Sequence, residues 1–170
     1  MPPPILVSIL MGSDSDWSVM EEAAATCDRF GVACEARVLS AHRRPEECAE
    51  HARGAAARGV KVLIAGAGGA AHLAGVLAAH TSLPVVAVPI PTALAGGLDS
   101  LLSMVQMPPG VPVATVGVGR AGNAALLAIQ ILALEDVELA RKLESHKEEL
   151  RARGEEADRK VREQREVRRH

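Results

Sequence analysis

Aromatic side chains are almost absent from this 170-residue chain, which contains one tryptophan, one phenylalanine and no tyrosine. Hydrophobic residues nevertheless make up 48% of the sequence, so the core must consist of alanine, valine, leucine and isoleucine. A flavin-binding domain normally stacks aromatic rings on the isoalloxazine, and this chain has almost none to offer. The composition therefore argues against a flavin cofactor.

A strong net charge and a long apolar run are also missing. The formal charge of −2 argues against electrostatic binding to nucleic acid or to an anionic membrane. No apolar run approaches the roughly 20 residues that a membrane span requires. The apolar stretch that begins at Ile5 is too short for a signal peptide, and no basic region precedes it. The sequence thus predicts a cytoplasmic protein with neither a nucleic-acid nor a membrane partner.

Metal and nucleotide-cofactor motifs are lacking as well. Cys27, Cys34 and Cys48 have no zinc-like spacing, and their odd number suits a reducing compartment. The glycine run that begins at Gly66 lacks the final glycine of a dinucleotide fingerprint and the Lys-Ser/Thr ending of a P-loop. We therefore expect no metal and no cofactor, and we interpret the cysteines as small buried hydrophobic residues.

Five short apolar runs, rich in β-branched residues, alternate with stretches of helical character. This alternation predicts a parallel sheet covered by helices on both faces, and five strands favour the flavodoxin-like order 2-1-3-4-5. The predicted strands are 5–10, 32–39, 60–65, 84–88 and 112–118, and the predicted helices are 16–30, 45–58, 70–80, 98–106 and 121–134. The sequence predicts one α/β domain over residues 1–134.

Charge is concentrated in the remaining segment, residues 135–170. This segment holds 11 of the 21 acidic and 11 of the 19 basic residues. Leu139, Leu143, His146 and Leu150 follow a helical spacing, which predicts a helix to about Arg153 and then a frayed, solvated extension. A partner-binding coiled coil is a weaker alternative, because too few positions are apolar to sustain heptads.

Polar and glycine-rich clusters follow each predicted strand, at the edge of the sheet where α/β proteins bind ligands. Within 40–45, His42 can exchange a proton near neutral pH, and Arg43 can hold a phosphate or carboxylate through two hydrogen bonds. Ser13 could bind a phosphate, and Asp16 could accept hydrogen bonds from ribose hydroxyls. Helix capping is the alternative for the residues after strand 1, for His72, and for Asp99 and Ser100, where we favour it.

Several of these segments, in order and with compatible spacing, resemble the PurE family of purine biosynthesis. The resemblance covers about residues 5–134 and rests on 12–17, 40–43, 65–73, 98–103, 105–108 and 123–128. It implies a flavodoxin-like fold, a homo-octamer and, for the bacterial branch, N5-carboxyaminoimidazole ribonucleotide mutase activity. That activity moves a carboxylate from the exocyclic nitrogen to C4 of the imidazole, without metal or organic cofactor.

Carried over residue by residue, the resemblance makes His42 the general acid and base. The substrate-binding positions that it implies are Ser13, Asp16, Ser40, Arg43, Gly68, His72 and Leu73. Residues 1–134 would then be the catalytic domain, and the charged helical extension 135–170 has no clear counterpart in the family. The chain also departs from the family at Arg44, where threonine is usual, and at Ala74, where proline is usual.

Two alternatives remain at this stage. The other branch of the family carboxylates aminoimidazole ribonucleotide directly with CO2, and it tends to have lysine after the motif histidine, where this chain has Arg43. A non-catalytic receiver module is less favoured, because strand 3 runs into glycines rather than a phosphoacceptor aspartate, and Arg120 replaces the lysine expected after strand 5.

Overall fold

One parallel sheet of five strands lies at the centre of the computed structural model, which describes residues 3–167. The strand order is β2-β1-β3-β4-β5, which confirms the predicted flavodoxin-like order. The strands are β1 (Val7–Met11), β2 (Cys34–Val38), β3 (Val62–Ala67), β4 (Val85–Pro89) and β5 (Ala114–Thr115).

Helices connect successive strands, as parallel pairing requires. They are α1 (Trp17–Phe30), α2 (Pro45–Ala55), α3 (Leu73–His80), α4 (Leu98–Val105), α5 (Ala121–Leu132) and α6 (Val137–Val167). Short 3-10 turns precede α1 (Asp14–Asp16) and follow α2 (Ala56–Arg58). The predicted helices are confirmed with small shifts; α3 begins at Leu73 rather than at Ala70, because Gly69 has φ +67° and the chain turns tightly there.

The three central strands are buried along their whole length, which explains their nearly continuous apolar sequence. Leu10 and Leu63 belong to the same buried cluster as Leu77 of α3. Gly66 of β3 lies against Met20 of α1, where a Cβ atom would come 2.4 Å from the sulfur. Opposite faces of the sheet thus pack against different helices, and Gly66 permits the close approach of α1.

The edge strands are less regular than the sequence predicts. Strand β2 is largely exposed, in keeping with its charged Glu35 and Arg37. Strand β5 comprises two residues, whereas the sequence predicted 112–118. Proline at position 112 has no N–H to donate to the ladder, and beyond Thr115 only isolated backbone bonds continue, such as Val116 N to Ala87 O at 3.0 Å.

The charged C-terminal segment forms a single helix, α6, through Val167. The predicted end near Arg153 is therefore wrong: Gly154 does not interrupt the helix. Ion pairs between residues three or four apart continue past it, including Arg151–Glu155 at 2.9 Å and Arg159–Glu163 at 3.7 Å. Together such pairs offset the helix propensity that one glycine removes.

Two compact units divide the chain, Met1–Ile131 and Leu132–His170. The first contains the sheet, and the second consists mainly of α6. A search of the described residues finds no helix with the length and hydropathy of a membrane span.

Candidate active site

The carboxyl ends of the strands are joined by backbone hydrogen bonds that continue the sheet into its loops. Gly12 N donates to Gly66 O at 3.1 Å, and Leu39 N donates to Met11 O at 2.8 Å. Ile90 N donates to Ala67 O at 3.0 Å. The loops after β1, β2 and β3 therefore start from adjacent, fixed positions on one edge of the sheet.

These loops enclose a cleft of about 390 Å³. All eight site residues predicted from the sequence line it: Ser13, Asp16, Ser40, His42, Arg43, Gly68, His72 and Leu73. The cleft is also lined by four small residues that were not singled out, Gly12, Ala41, Ala67 and Ala70. Their side chains carry no reactive group, so only their position within the segments 12–17, 40–43 and 65–73 could have indicated that they line the cleft.

His42 and His72 are in direct contact across this cleft. Nε2 of His42 lies 2.8 Å from Nδ1 of His72, and the two rings are nearly perpendicular, at 85°. Because a hydrogen bond needs one donor and one acceptor, a single proton lies between these nitrogens, and the tautomer of one ring is tied to that of the other. His72 occupies the N-cap position of α3 but makes no side-chain capping bond, so the capping alternative is wrong.

Arg43 reaches from the same loop towards the first strand. Its Nη2 donates to the carbonyl of Gly12 at 3.1 Å, and its backbone N–H donates to Ser40 Oγ at 3.3 Å. The guanidinium is exposed and retains N–H groups for an anion. Ser40 thus shapes the loop, and Arg43 lies between the cleft and a neighbouring cavity.

That neighbouring cavity has a volume of about 450 Å³, and Arg44 is one of the residues that line it. Arg44 does not point freely into it, because its Nε is paired with Glu47 at 3.0 Å. A hydrogen bond from its own backbone N–H and, after it, the bond from Arg44 lower the pKa of the Glu47 carboxyl. Arg44, one of the two positions at which the chain departs from the family pattern, is thus paired with a residue in the first turn of α2.

Ser13 and Asp16 form a reciprocal cap at the 3-10 turn after β1. Ser13 N donates to Asp16 Oδ2 at 3.1 Å, and Ser13 Oγ accepts from Ser15 N at 3.4 Å. Asp16 is only 9% exposed, and burial raises the pKa of its carboxyl despite the backbone N–H groups that lower it. Capping and lining of the cleft are therefore combined in the same residues, and the second carboxylate oxygen of Asp16 keeps acceptor capacity.

The glycine loop after β3 is held by residues of α4. Ser100 Oγ accepts from Gly69 N at 3.0 Å and donates to Ile90 O at 2.8 Å. Thr92 donates to Asp99 at 2.6 Å, and this hydrogen bond lowers the pKa of the Asp99 carboxyl. The expectation that Asp99 and Ser100 cap α4 is wrong: Gly97 is its N-cap, no side chain caps the helix, and both residues brace the loops of the cleft.

No group of three or more metal-ligating side chains occurs within residues 3–167. The side chains that line the cleft offer three kinds of chemistry. It holds an imidazole pair for proton transfer, a guanidinium for an anion and a buried carboxylate for hydroxyl groups.

Comparison with known proteins identifies relatives for most of the chain. The model of the family described as AIR carboxylase matches residues 6–153. N5-carboxyaminoimidazole ribonucleotide mutase of Pyrococcus abyssi is 57% identical over 145 residues, which are 85% of this chain and 83% of the relative. The mutase of Mycobacterium tuberculosis is 56% identical over 144 residues, with the same coverage of both chains.

A solved structure also resembles this one. The crystal structure of Treponema denticola PurE has a TM-score of 0.83 and 33% sequence identity, and the match covers 91% of this chain and 97% of that chain. The similarity in fold extends over nearly the whole of the relative.

Proposed function

The chain belongs to the AIR carboxylase family, and we propose that it acts as an N5-carboxyaminoimidazole ribonucleotide mutase of de novo purine biosynthesis, an isomerase. The observation that carries the proposal is the pair His42–His72, 2.8 Å apart, in a cleft that Arg43 and Asp16 also line. Identity of 55–57% to curated mutases over more than four fifths of the chain supports the mutase activity rather than direct carboxylation.

The proposed chemistry uses His42 twice. It first donates a proton to N5 as the N5–carboxylate bond breaks, which leaves aminoimidazole ribonucleotide and CO2. C4 then attacks CO2, and His42 removes the C4 proton to restore the aromatic ring. The proton balance closes on one imidazole, and CO2 must stay beside the carbon nucleophile, which requires that the bound substrate hold it close.

The remaining cleft residues supply binding in this proposal. Arg43 and Ser13 hold anionic and polar groups of the nucleotide, and the buried Asp16 accepts from ribose hydroxyls. Gly68 and Leu73 form the wall, where the glycine admits close approach of the imidazole base. His72 sets the tautomer of His42 in addition to its contact with substrate, because one proton joins the two rings.

We further propose a homo-octamer in the cytoplasm, with residues 1–134 as the catalytic domain and 135–170 as a charged helical extension. An apolar stripe on α4 supports self-association: Leu98, Leu102 and Val105 are 46%, 47% and 50% exposed at helical spacing. Light scattering that gives a monomer at micromolar concentration would contradict the octamer. The three free cysteines suit a reducing compartment.

The decisive experiment offers purified protein both candidate substrates. We expect carboxyaminoimidazole ribonucleotide to form from the N5-carboxylated substrate without added bicarbonate. Direct carboxylation would be favoured instead if product forms from aminoimidazole ribonucleotide and bicarbonate while the N5-carboxylated compound is not converted.

A further inference from the structure

Another histidine, His51, is the centre of a polar cluster inside the first unit, and the proposed reaction does not use it. His51 of α2 is 6% exposed, and Ser8 of β1 is fully buried beside it. Glu35 and Arg37 of β2 and Arg58 of the 3-10 turn after α2 complete the cluster. Buried polar groups of this kind must be paired, so their hydrogen bonds can be assigned one by one.

The donors and acceptors form a consistent chain. Ser8 Oγ donates its proton to Glu35 Oε1 at 2.8 Å, so the same oxygen accepts from Nε2 of His51 at 2.9 Å. A neutral His51 protonated at Nε2 leaves Nδ1 as an acceptor. Arg37 Nη1, a donor, lies 3.5 Å from that Nδ1. Arg58 Nη2 lies 3.4 Å from Nδ1 and 3.2 Å from Nε2, so this guanidinium faces both ring nitrogens.

Burial and two nearby guanidinium groups disfavour the protonated form of His51. Burial lowers the pKa of His51, Arg58 and Arg37 lower it further, and Glu35 opposes them. A second ring proton would have no acceptor at Nδ1 and would face two guanidinium groups. In this tautomer the ring donates to Ser8 and accepts from Arg37.

The cluster connects the two elements that carry the His42 loop. Strand β2 leads into residues 39–44, and α2 follows them. Glu35 lies on the strand before the loop and His51 on the helix after it, and both are bonded to Ser8 on the adjacent strand β1. Both flanks of the loop are therefore tied to the inner sheet at one hydroxyl.

We propose that Ser8, Glu35 and His51 position the His42 loop, with Ser8 as the common anchor. The inference rests on the proposed function only in treating His42 as the catalytic group. Apolar packing alone would hold α2 against the sheet, but hydrogen bonds are directional and also fix its position along the sheet. Displacement of a reacting group by about 1 Å can cost up to about 100-fold in rate, so this position matters for catalysis.

The test compares variants that break the chain with one that preserves it. Ser8→Ala removes the anchor, His51→Leu removes the ring link, and Glu35→Ala removes the terminal acceptor from the partly exposed edge strand. We expect each to lower kcat/KM about tenfold, mainly through kcat, in protein that circular dichroism shows to be folded. His51→Gln retains a side-chain N–H for Ser8 and should restore kcat/KM to within about threefold of the original.

A matched control is His80→Gln. His80 of α3 also has an arginine nitrogen, Nη2 of Arg53, at 3.5 Å, but it lies outside the cluster. We expect its kcat and KM to stay unchanged. Imidazole ¹⁵N spectra of the unliganded protein provide a readout without substrate: the His42 and His72 signals should shift in Ser8→Ala, His51→Leu and Glu35→Ala, but not in His51→Gln or His80→Gln.

Each outcome separates the two claims. If the unmodified protein fails to convert the substrate but the ring signals shift as stated, the proposed function fails and the positioning role stands. Unchanged kcat and unchanged ring signals in folded Ser8→Ala and Glu35→Ala would overturn the positioning role. Equal losses in His51→Gln and His51→Leu would overturn the hydrogen-bonded link, since size alone would then explain the effect.

Discussion

Two histidines, one in the loop 39–44 and one on the helix that follows it, have opposite surroundings in this protein. His42 is exposed at the rim of the cleft, and its hydrogen-bond partner is another imidazole. His51 is buried, and its partners are a hydroxyl, a carboxylate and two guanidinium groups. In the first arrangement either ring can be the donor, whereas in the second the buried ring donates to Ser8 and faces guanidinium groups that oppose a second proton. A histidine thus becomes a candidate for catalysis or for positioning through its partners, not through its residue type.

The largest expected effect is that of His42→Asn on turnover. The amide preserves the approximate size and polarity of the ring but cannot serve as acid and base, so kcat should fall by about 10²–10⁴-fold. Because His42 is exposed, the melting temperature should change little. Steady-state kinetics and thermal melts measure the two quantities on one preparation. Full turnover by this variant would exclude His42 as the catalytic group.

A smaller loss is expected for His72→Asn. The amide can still hydrogen-bond to Nε2 of His42 but cannot take up the shared proton, so kcat should fall about tenfold to 100-fold, less than for His42→Asn. His72→Ala removes the hydrogen bond as well and should be the slower of the two. Equal rates for His72→Ala and the unmodified protein would show that the contact has no part in the reaction.

Much of the fold could be predicted from the sequence, because the buried strands of a parallel sheet are nearly continuous apolar runs. The members of the cleft could also be predicted, since polar motifs after neighbouring strands meet at one edge. The bond between His42 and His72 could not, because it joins loops 30 residues apart whose side-chain directions depend on the packed sheet. For the same reason the sequence could not predict the contact between Ser8 and His51, which are 43 residues apart.

Stability should depend on pH through His51. The unfolded ring, with a pKa near 6.5, binds a proton that the folded ring does not, so the free energy of unfolding falls as pH drops below about 6.5. The loss levels off once the pH passes the lowered folded pKa, and it amounts to about 1.4 kcal/mol per pKa unit of lowering. Urea unfolding of the unmodified protein and of His51→Gln between about pH 7.5 and about pH 5 measures this loss.

In His51→Gln the contribution of this group disappears, so the two stability curves should converge as the pH falls. His80→Gln serves as the control and should retain the slope of the unmodified protein, because the pH dependence assigned to His51 is still present. A slope that is the same in all three proteins would mean that His51 stays protonated or becomes exposed in solution.

The smallest expected effect is that of Arg44, whose partners differ from those of the adjacent Arg43. Arg43 bonds across the loops to Gly12, whereas Arg44 pairs with Glu47 on the surface of α2, where solvent screens the pair and its contribution to stability is small. We expect Arg44→Thr to change the melting temperature little and to raise KM by less than about threefold at low salt, an effect that salt should erase. Arg43→Thr should raise KM by at least about tenfold, because a charge-assisted bond to the substrate is lost. If Arg44→Thr raises KM as much as Arg43→Thr does, the substrate anion extends into the neighbouring cavity, and Arg44 binds it despite its pairing with Glu47.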